Sequence, residues 1–456
     1  MKHSIGAISL GCPKNLIDTE IMLGILSRVG YEIVGEKEAE ILIINTCAFI
    51  EDACRESLET IREMVEYKKK ESSRKIIVTG CLVQRYSRDL LQKIPEIDAL
   101  VGTGKYQRIS SVVSNIQNGK KRLVEIGAPS YSPRKRYPRL LTTPPYTAYL
   151  KIAEGCDNRC AYCIIHQLRG PFRSRTKKSV LEEAQNLTER GVKELILVAQ
   201  DTTRYGEDLY QRPQLAKLLS EIARVEKNRW LRFLYAYPDS TRFTPDLMEI
   251  IAREPKICKY IDLPIQHISD PVLQAMHRRS NSTEIRNLIS RLRKNIPGLN
   301  LRSTLMVGFP GETKDDFHRL CNFVGEIKFD RLGVFIYSQE KGTLAAKRNK
   351  QIPLEIKQER YHCLMELQAK ISLENNRHKI GKILEVLVEG KPYQKGFHWI
   401  GRSRYDAPEI DGLVYVRERK NSRIKIVPGD IIKVRITEAE IYDLIGERID
   451  DGKNQG

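Results

Sequence analysis

Residues 154–163 read EGCDNRCAYC, and this stretch places three cysteines together immediately after an apolar strand. Cys156, Cys160 and Cys163 are separated by three and then two residues. This spacing lets one loop carry three thiolates around three corners of a 4Fe–4S cluster, whose fourth iron stays free to bind a small molecule. A structural zinc site is the alternative, but zinc takes four ligands, and His166 is the only local candidate for the fourth.

Around this motif a strand–helix unit repeats six times between residues 146 and 372. The predicted strands are AYLKIAEG (148–155), ELILVAQD (194–201), RFLYAYP (232–238), KYIDLPIQ (259–266), RSTLMVGF (302–309) and RLGVFIYS (331–338). Eight such units close a full barrel of about 250 residues, so six units predict an open, partial (β/α)6 barrel. The C-terminal ends of its strands should form the working face.

The preceding residues, 3–126, also alternate short apolar strands with helices, which predicts a parallel sheet with helices on its faces. In this domain Cys12, Cys47 and Cys81 each follow a predicted strand. Because the C-terminal ends of parallel strands share one sheet edge, we expect these thiols to converge and bind a second, auxiliary iron–sulfur cluster. The alternative is that cysteine is simply a small residue that is often buried. The other four cysteines show no such arrangement and are interpreted as packing residues: Cys54, Cys258, Cys321 and Cys363.

Two further segments complete an α/β chain with three folded parts. Residues 127–145 hold five prolines and several basic side chains without an apolar period, which predicts an exposed basic linker. Residues 373–449 switch to the two-residue apolar period of short strands, punctuated by Gly and Pro. This pattern predicts a small antiparallel β-barrel of the OB type.

The composition of the chain indicates where in the cell the protein is expected to be found. The 456 residues include 77 Lys+Arg, 58 Asp+Glu and 10 Cys, with a net charge of +19. We find no apolar run of about 20 residues that would predict a membrane span. The first residues lack the apolar core of an export signal, and the cysteines are too sparse for a disulfide scaffold, so a cytoplasmic location is expected.

The positive net charge fits an anionic partner such as RNA, because phosphate contacts dominate nucleic-acid affinity. Residues 373–456, however, carry sixteen basic and fourteen acidic side chains and are nearly balanced. Their last part contains an acidic run: Glu438, Glu440, Asp443 and Glu447. An acidic surface suits a basic protein better than a phosphate backbone, so we expect this face to meet a protein substrate.

The sequence motifs resemble those of the methylthiotransferases, a family of radical S-adenosylmethionine enzymes. The resemblance covers residues 3–449 and rests on SLGCPKNLIDTE, INTCAFIEDA, TGCLVQRY and EGCDNRCAYCIIHQLRGPFRSR, followed by the small β-barrel. Within the family, GCPKN, AQDTTRYG, YAYP, LPIQHIS and DAPEIDGLVYV resemble the branch that modifies a ribosomal protein. His166 stands where the family usually shows proline, a change that we expect the loop to tolerate.

The resemblance implies the cofactors and the reaction. It implies two 4Fe–4S clusters, one on each cysteine set, and two molecules of S-adenosylmethionine per turnover. One molecule donates a methyl group to a sulfur at the auxiliary cluster. The other yields a radical that removes hydrogen from the β-carbon of an aspartate in the twelfth small-subunit ribosomal protein, which then captures methylthio. The partners are that protein, an electron donor and a sulfur source.

The resemblance also suggests residues that contact S-adenosylmethionine. Tyr162 is expected to touch the adenine, with a core aromatic as the alternative. Gln200 and Asp201, after the second barrel strand, are expected near the amino group. Gly308 and Gly311 are expected to back the cofactor, although such glycines also serve a tight turn. Residues 266–267, Gln-His, are expected to face the same cavity, although a lone histidine is more often structural.

Two other functions remain open from the sequence. The nearer one is the same chemistry on a transfer RNA adenosine, the substrate of the other branches of the family. A more distant one is an iron–sulfur RNA-binding protein or redox sensor without turnover. That function would leave the barrel and the cysteine motif without a purpose, and it predicts no 5′-deoxyadenosine from S-adenosylmethionine.

Overall fold

The computed structural model describes residues 3–71, 73–129, 137–418 and 425–449. Part of the predicted linker, residues 130–136, lies outside the described residues. The described residues form three units: an N-terminal sheet unit, a central barrel and a terminal barrel. In this part of the chain, no helix is long and apolar enough to cross a membrane.

The N-terminal sheet unit is a six-stranded parallel sheet with helices on both faces, as predicted. The strands are β1 (Ser4–Ser9), β2 (Glu32–Ile33), β3 (Ile41–Thr46), β4 (Lys75–Gly80), β5 (Ala99–Gly102) and β6 (Leu123–Glu125). The helices are α1 (Pro13–Arg28), α2 (Glu51–Lys70), α3 (Cys81–Lys93) and α4 (Ile109–Gln117), with a 3₁₀ turn at Tyr106–Arg108. The strand order is β2-β1-β3-β4-β5-β6, and every pairing is parallel.

Strand β3 shows why helices cover both faces of this sheet. All six of its residues are buried. Ile41 and Ile43 pack into the core formed with α1 and α4, whereas Leu42 and Ile44 pack into the core formed with α2 and α3. A strand covered on both faces reads as a continuous apolar run, and its successive side chains point to opposite layers.

The central barrel contains six parallel strands, and it is open, as predicted. Its strands are β7 (Thr147–Lys151), β10 (Glu194–Val198), β11 (Trp230–Phe233), β12 (Tyr260–Asp262), β13 (Asn300–Val307) and β14 (Arg331–Ile336), and a short ribbon joins β8 (Ala153–Glu154) to β9 (Arg173–Ser174). Its helices are α5 (Ile165–Arg169), α6 (Lys177–Glu189), α7 (Glu207–Tyr210), α8 (Leu215–Ala223), α9 (Pro245–Arg253), α10 (Asp270–Ala275), α11 (Ser282–Asn295), α12 (Lys314–Ile327) and α13 (Leu354–Arg377), with a 3₁₀ turn at Ala345–Lys347.

The barrel strands form two three-stranded parallel sheets, β7-β10-β11 and β12-β13-β14. A parallel bridge between Leu231 and Ile257 connects them. Within the described residues, β7 and β14 do not pair, so the barrel stays open between its first and last strands. All six strands end earlier than predicted. For two of them the backbone gives the reason: β11 stops before Tyr235, which has a positive φ of 64°, and β12 stops before Pro264, which has no N–H to donate.

The terminal barrel is a closed five-stranded barrel. Its strands are β15 (Ile383–Gly390), β16 (Trp399–Ser403), β17 (Val414–Arg417), β18 (Ile431–Ala439) and β19 (Leu444–Ile449), in the order β15-β16-β17-β19-β18. The expectation of a wholly antiparallel barrel is wrong at one position, since β17 and β19 pair in parallel. Strand β18 crosses over to pair with β15, so the hairpin partner β19 returns alongside β17 in the same direction.

The terminal barrel packs on the N-terminal ends of the central strands, opposite the predicted working face. Glu194, at the start of β10, is fully buried and accepts hydrogen bonds from Arg402 (2.7 Å) and Arg232 (3.1 Å). Arg331, at the start of β14, pairs with Asp406 at 2.6 Å. These buried ion pairs join residues that lie far apart in the sequence.

Helix α13, the linker and one cysteine differ in detail from the expectations. Helix α13 runs through the expected boundary at residues 372–373, because its last turn binds the terminal barrel through Asn376, which donates to the carbonyl of Glu440 at 3.1 Å. The described end of the linker is not simply exposed, since the Arg139 side chain is buried between Glu20 and Glu183. The expectation that all four remaining cysteines pack inside is also wrong for Cys363, which is exposed.

Candidate active site

The loop between β8 and β9 carries Cys156, Cys160 and Cys163, which we call the first cysteine set. Cys160 is buried, and Cys156 and Cys163 are half-buried. The loop closes tightly at its base, where the amide of Cys156 donates to the carbonyl of Gly170 at 3.1 Å. Gly155 has a φ of +85°, and a side chain there would overlap the carbonyls of Pro171 and Gly170. A residue with any Cβ would therefore open the base of the loop.

Hydrogen-bond donors surround these sulfurs. The amides of Asn158 and Ile165 each lie 3.5 Å from the sulfur of Cys156 and Cys163, respectively. A guanidinium nitrogen of Arg278 lies 3.8 Å from the sulfur of Cys160. Such N–H groups stabilise anionic sulfur and tune the reduction potential of a cluster bound to it.

The pKa values of two of these thiols are raised by their burial in the loop. Burial raises the pKa of Cys156 to about 11 and raises that of Cys163 further, and the charge of neighbouring Cys160 adds to both effects. The thiols influence each other because their sulfurs lie close together. Metal binding to such thiols displaces their protons.

This donor set fits a cluster better than a single ion. Within the described residues, no group of three or more His, Cys, Asp or Glu side chains is arranged to hold one metal ion. A zinc site needs ligands that converge on one point, whereas each thiolate of a cluster binds a different iron. The described residues therefore give no support to a zinc site completed by His166, and the cluster on the three cysteines stays a prediction.

The second cysteine set gathers at the edge of the N-terminal sheet. Cys12 precedes α1, Cys47 follows β3, and Cys81 begins α3 directly after β4. Their strands β1, β3 and β4 are neighbours in the sheet. A Cβ on Gly11 would lie 2.6 Å from the Cβ of Cys47, so the loop before α1 packs directly on that cysteine.

Asn15 holds the second cysteine set in place. Its amide nitrogen donates to the carbonyls of Leu10 and Thr46, both at 3.0 Å, and its amide oxygen lies 3.9 Å from the sulfur of Cys81. Burial raises the pKa of Cys47 to about 12, with smaller contributions from Cys81 and Cys12. The structure thus brings all three thiols of the second set together.

A buried ionic network connects the two cysteine sets. Arg169 donates to Asp18 at 2.7 Å and to Glu154 at 3.2 Å, and it also contacts Asn15 and the sulfur of Cys81. Burial alone would raise the pKa of Glu154, but nearby cations outweigh it and hold that pKa well below its usual range. Those cations are Lys151, which also binds Asp18, and Arg169.

No local sequence pattern predicts a role for the members of this network. Asp18 and Arg169 both lie inside quoted motifs, and each follows a cysteine by six residues. Charged residues so close to cysteines at strand ends were the available signal. Their pairing spans 151 residues of sequence and could not be read from it.

Lys14 lies beside Cys12 and reaches the central barrel. Its ammonium is 3.4 Å from the ring centroid of Tyr235, at the C-terminal end of β11. Burial would raise the pKa of Cys12, but Lys14 and Arg169 outweigh it and lower that pKa. The working face therefore presents cations to the second cysteine set.

Tyr162 lies between the first cysteine set and Arg278. A guanidinium nitrogen of Arg278 is 3.5 Å from the Tyr162 hydroxyl, and the same guanidinium stacks on the ring of Tyr237 at 4.1 Å. Tyr162 also packs on an apolar cluster that includes Phe309 and Tyr337. This position agrees with both readings of Tyr162, and its contact with adenine stays a prediction.

Asp201 and Gln200 follow β10 but are largely engaged by protein groups. Asp201 accepts hydrogen bonds from Thr203 (2.7 Å), Arg242 (2.9 Å) and Asn158 (3.1 Å). Through Asn158 it orders the loop that carries Cys156. Gln200 donates to Glu154 at 2.6 Å, and its buried carbonyl oxygen has no partner, so it remains available to a ligand.

The turn after β13 wraps around the carboxylate of Glu312. That carboxylate accepts hydrogen bonds from the amides of Gly308 and Phe309, and the amide of Gly311 donates to the carbonyl of Lys350. The contact of Gly308 and Gly311 with the cofactor stays a prediction. His267 is fully buried, and its ring accepts a hydrogen bond from the Ser269 amide at 3.0 Å and faces Glu312, which agrees with the structural alternative. Gln266 is half-buried beside β13.

The acidic run of the terminal barrel does not form one free acidic face. Glu438 pairs with Arg417 at 2.5 Å. Asp443 accepts a hydrogen bond from the amide of Leu413 at 2.8 Å. Glu447 also has a partner, which leaves Glu440 as an exposed carboxylate of the run. The expected protein-binding role of this run therefore has weak structural support.

Three family models match separate parts of the chain. The uncharacterized protein family UPF0004 matches residues 4–102, the radical SAM superfamily matches residues 150–324, and the TRAM domain matches residues 380–449. These three ranges coincide with the N-terminal sheet unit, the central barrel and the terminal barrel.

Relatives match along almost the whole chain. A protein of Pelotomaculum thermopropionicum named ribosomal protein uS12 methylthiotransferase RimO is 51% identical, over 98% of this chain and 100% of the relative. Proteins with the same name from Geobacter sulfurreducens and Caldanaerobacter subterraneus subsp. tengcongensis are 49% and 51% identical. They match over 98% of this chain and over 99% and 100% of their own length.

A solved structure supports the fold alone. It is the radical S-adenosylmethionine methyltransferase TsrM from Kitasatospora setae with cobalamin and a 4Fe-4S cluster bound. It superposes with a TM-score of 0.57 at 14% identity, over 74% of this chain and 75% of that chain.

Proposed function

This chain belongs to the ribosomal protein uS12 methylthiotransferase family, and from that premise we propose that it adds a methylthio group to the β-carbon of an aspartate in uS12. It is a radical S-adenosylmethionine transferase that uses an iron–sulfur cluster. The observation that carries the proposal is the near 50% identity to uS12 methylthiotransferases over 98% of the chain. The division at residues 126, 145 and 372 remains part of the proposal, with α13 crossing the last boundary.

The residues present fit this chemistry. Cys156, Cys160 and Cys163 would hold the cluster that binds S-adenosylmethionine, and we propose that Cys12, Cys47 and Cys81 hold an auxiliary cluster. When bound, these groups supply the radical and the sulfur that a saturated C–H bond requires, because side-chain bases cannot deprotonate such a carbon. The convergence of the second cysteine set supports two clusters per chain.

The chain's own side chains orient these groups and exclude water. Arg169, with Lys151, fixes the N-terminal sheet unit against the barrel, so that both cysteine sets keep one spacing. The Arg278 guanidinium lies against Cys160 and Tyr162, and the unpaired oxygen of Gln200 is available to an ammonium donor. We further propose two molecules of S-adenosylmethionine per turnover, an external electron donor and a sulfur source.

Transfer RNA is the competing substrate and is not favoured. The terminal barrel, the unit that would bind RNA, is almost neutral and packs on the face opposite the cysteine sets. The relatives quoted above are all named for uS12. A function without turnover is less favoured still, because it gives the radical S-adenosylmethionine barrel and its cysteine motif no purpose.

Mass spectrometry of cells with and without this protein tests the proposal. We expect uS12 to carry one methylthio group on an aspartate only when the protein is present, while transfer RNA nucleosides stay unchanged. A methylthio group on a transfer RNA adenosine and none on uS12 would assign the competing substrate. A matched strain that produces the C156A/C160A/C163A variant controls for an indirect effect of the protein.

A further inference from the structure

Lys14 lies beside Cys12 on the working face of the barrel, and among the described residues its ammonium pairs with no carboxylate. Its ammonium lies 3.4 Å above the ring of Tyr235. Among the described residues, this ammonium makes no hydrogen bond and no ion pair. The Lys14 side chain is half-buried, so its N–H donors remain accessible to a ligand that reaches this face of the barrel.

Several other cations of the central barrel pair with carboxylates, whereas Arg278 lies against Cys160 and the Tyr162 hydroxyl. The lysine and arginine side chains of the inner wall that contact a carboxylate are Lys151, Arg232, Arg302, Arg331 and Arg402. The two carboxylates near Lys14 are already engaged. Asp262 binds Arg302 and the amide of Tyr235, both at 3.0 Å, and Glu154 binds Lys151 and Arg169. Lys14 therefore keeps its three N–H donors for a group that comes from outside.

The ring below Lys14 is held in a strained position. Tyr235 has a φ of +64°, which is an outlier for a bulky side chain. Its carbonyl accepts from the Thr202 amide at 3.1 Å, and its own amide donates to Asp262 at 3.0 Å. Strain of this kind persists only where the surroundings impose it, and it is concentrated at functional sites. Here it places an aromatic face under the ammonium, which fixes the cation and leaves its donors free.

We propose that Lys14 binds the side-chain carboxylate of the target aspartate and thereby selects aspartate over asparagine. This inference rests on the proposed function. Lys14 lies two residues from Cys12 and above the C-terminal end of β11, so a carboxylate on its ammonium is held beside the second cysteine set on the working face of the barrel. A single ammonium matches the single negative charge of a carboxylate.

A double-mutant cycle between enzyme and substrate tests the proposal. The dissociation constant is measured for the holoenzyme, without S-adenosylmethionine, and uS12 with either the target aspartate or asparagine in its place. The wild-type enzyme should prefer aspartate by about ten- to a hundredfold, or about 1.4–2.8 kcal/mol. In Lys14→Met this preference should fall to near unity, with little change for the asparagine substrate.

Two controls keep the test specific. Lys69→Met removes an exposed lysine of α2 and should keep the full preference for aspartate. Lys14→Arg retains the charge and should restore part of the preference. Iron content and electron paramagnetic resonance spectra of both Lys14 variants should match the wild type.

Three results would overturn the proposal for Lys14. The first is a preference for aspartate that survives in Lys14→Met, and the second is altered cluster spectra in that variant. The third is that Lys14→Met weakens the binding of transfer RNA and leaves the binding of uS12 unchanged. These results differ from failure of the proposed function, in which the wild-type enzyme itself would leave uS12 unmodified.

Discussion

Replacing Arg169 with methionine removes one of two cations from a buried group of four charges. Asp18 and Glu154 would then share Lys151 alone, and all of these side chains are less than 5% exposed. One carboxylate must stay unpaired or take up a proton. At pH 7, protonating a glutamate with an ordinary pKa of about 4.3 costs about 3.7 kcal/mol. This value lies within the range of about 3–5 kcal/mol for breaking a buried ion pair.

The same reasoning fixes the sign of the pH dependence. In the wild-type protein the folded pKa of Glu154 is depressed, so the network stabilises the fold above the ordinary pKa and is lost as the pH falls. In Arg169→Met, the carboxyl group that is left without a cation should have a raised pKa in the folded state. The free-energy cost of burying it as a carboxylate, or of protonating it, then grows as the pH rises above about 4.3. The stability difference between the two proteins should therefore increase from about pH 4 to pH 7.

Hydrogen exchange measures this difference where the units meet. Amides of α1 and β7 should exchange about 100- to 1,000-fold faster in Arg169→Met at pH 7, as about 3–4 kcal/mol requires. The matched control is Arg253→Met, which removes an ion pair to Glu249 from the surface of α9. That pair should contribute less than about 1 kcal/mol. If Arg169→Met exchanged no faster than this control, or if the difference did not change with pH, the network would not hold the units together.

Three further predictions test other parts of the site. Gly80 has a φ of +98°, and the Cβ that Gly80→Ala adds would lie 2.5 Å from the Thr46 carbonyl oxygen. This variant should displace Cys81, and iron analysis should show that one cluster is lost while the other remains. Arg278→Met removes the N–H near Cys160 and should shift the potential of that cluster to more negative values in a redox titration. Burial would raise the pKa of Glu194, but Arg402 and Arg232 outweigh it and lower that pKa. Melting temperatures should therefore show that Glu194→Gln is destabilising at pH 7 and loses less stability than the wild type as the pH falls below about 4.5; equal losses would contradict the role of these pairs.

Much of the architecture follows from local sequence patterns. Apolar runs followed by Gly-Cys or Thr-Cys predict the parallel sheet, and the six strand–helix units predict an open barrel. The same strand-end rule predicts that Cys12, Cys47 and Cys81 converge, because each follows one of three neighbouring strands. These signals are short in sequence, so they survive without knowledge of the tertiary structure.

The parts that could not be predicted depend on distant contacts or on unusual backbone geometry. Arg169 meets Asp18 across 151 residues, and no local pattern reports that pairing. Tyr235 follows β11 in a left-handed conformation that a tyrosine rarely adopts, so its orientation toward Lys14 cannot be predicted from the sequence. The parallel pairing of β17 with β19 likewise depends on where β18 crosses the barrel.

Transfer of a methylthio group from this enzyme to uS12 can be measured in vitro as a change in the mass of uS12. Purified holoenzyme is incubated with S-adenosylmethionine, a reductant, a sulfide source and uS12, and the intact mass of uS12 is recorded. We predict a gain of one methylthio group on the target aspartate, together with 5′-deoxyadenosine, and neither product with the C156A/C160A/C163A variant. Formation of 5′-deoxyadenosine with an unchanged mass of uS12, while transfer RNA gained the group, would contradict the assignment of uS12 as the substrate.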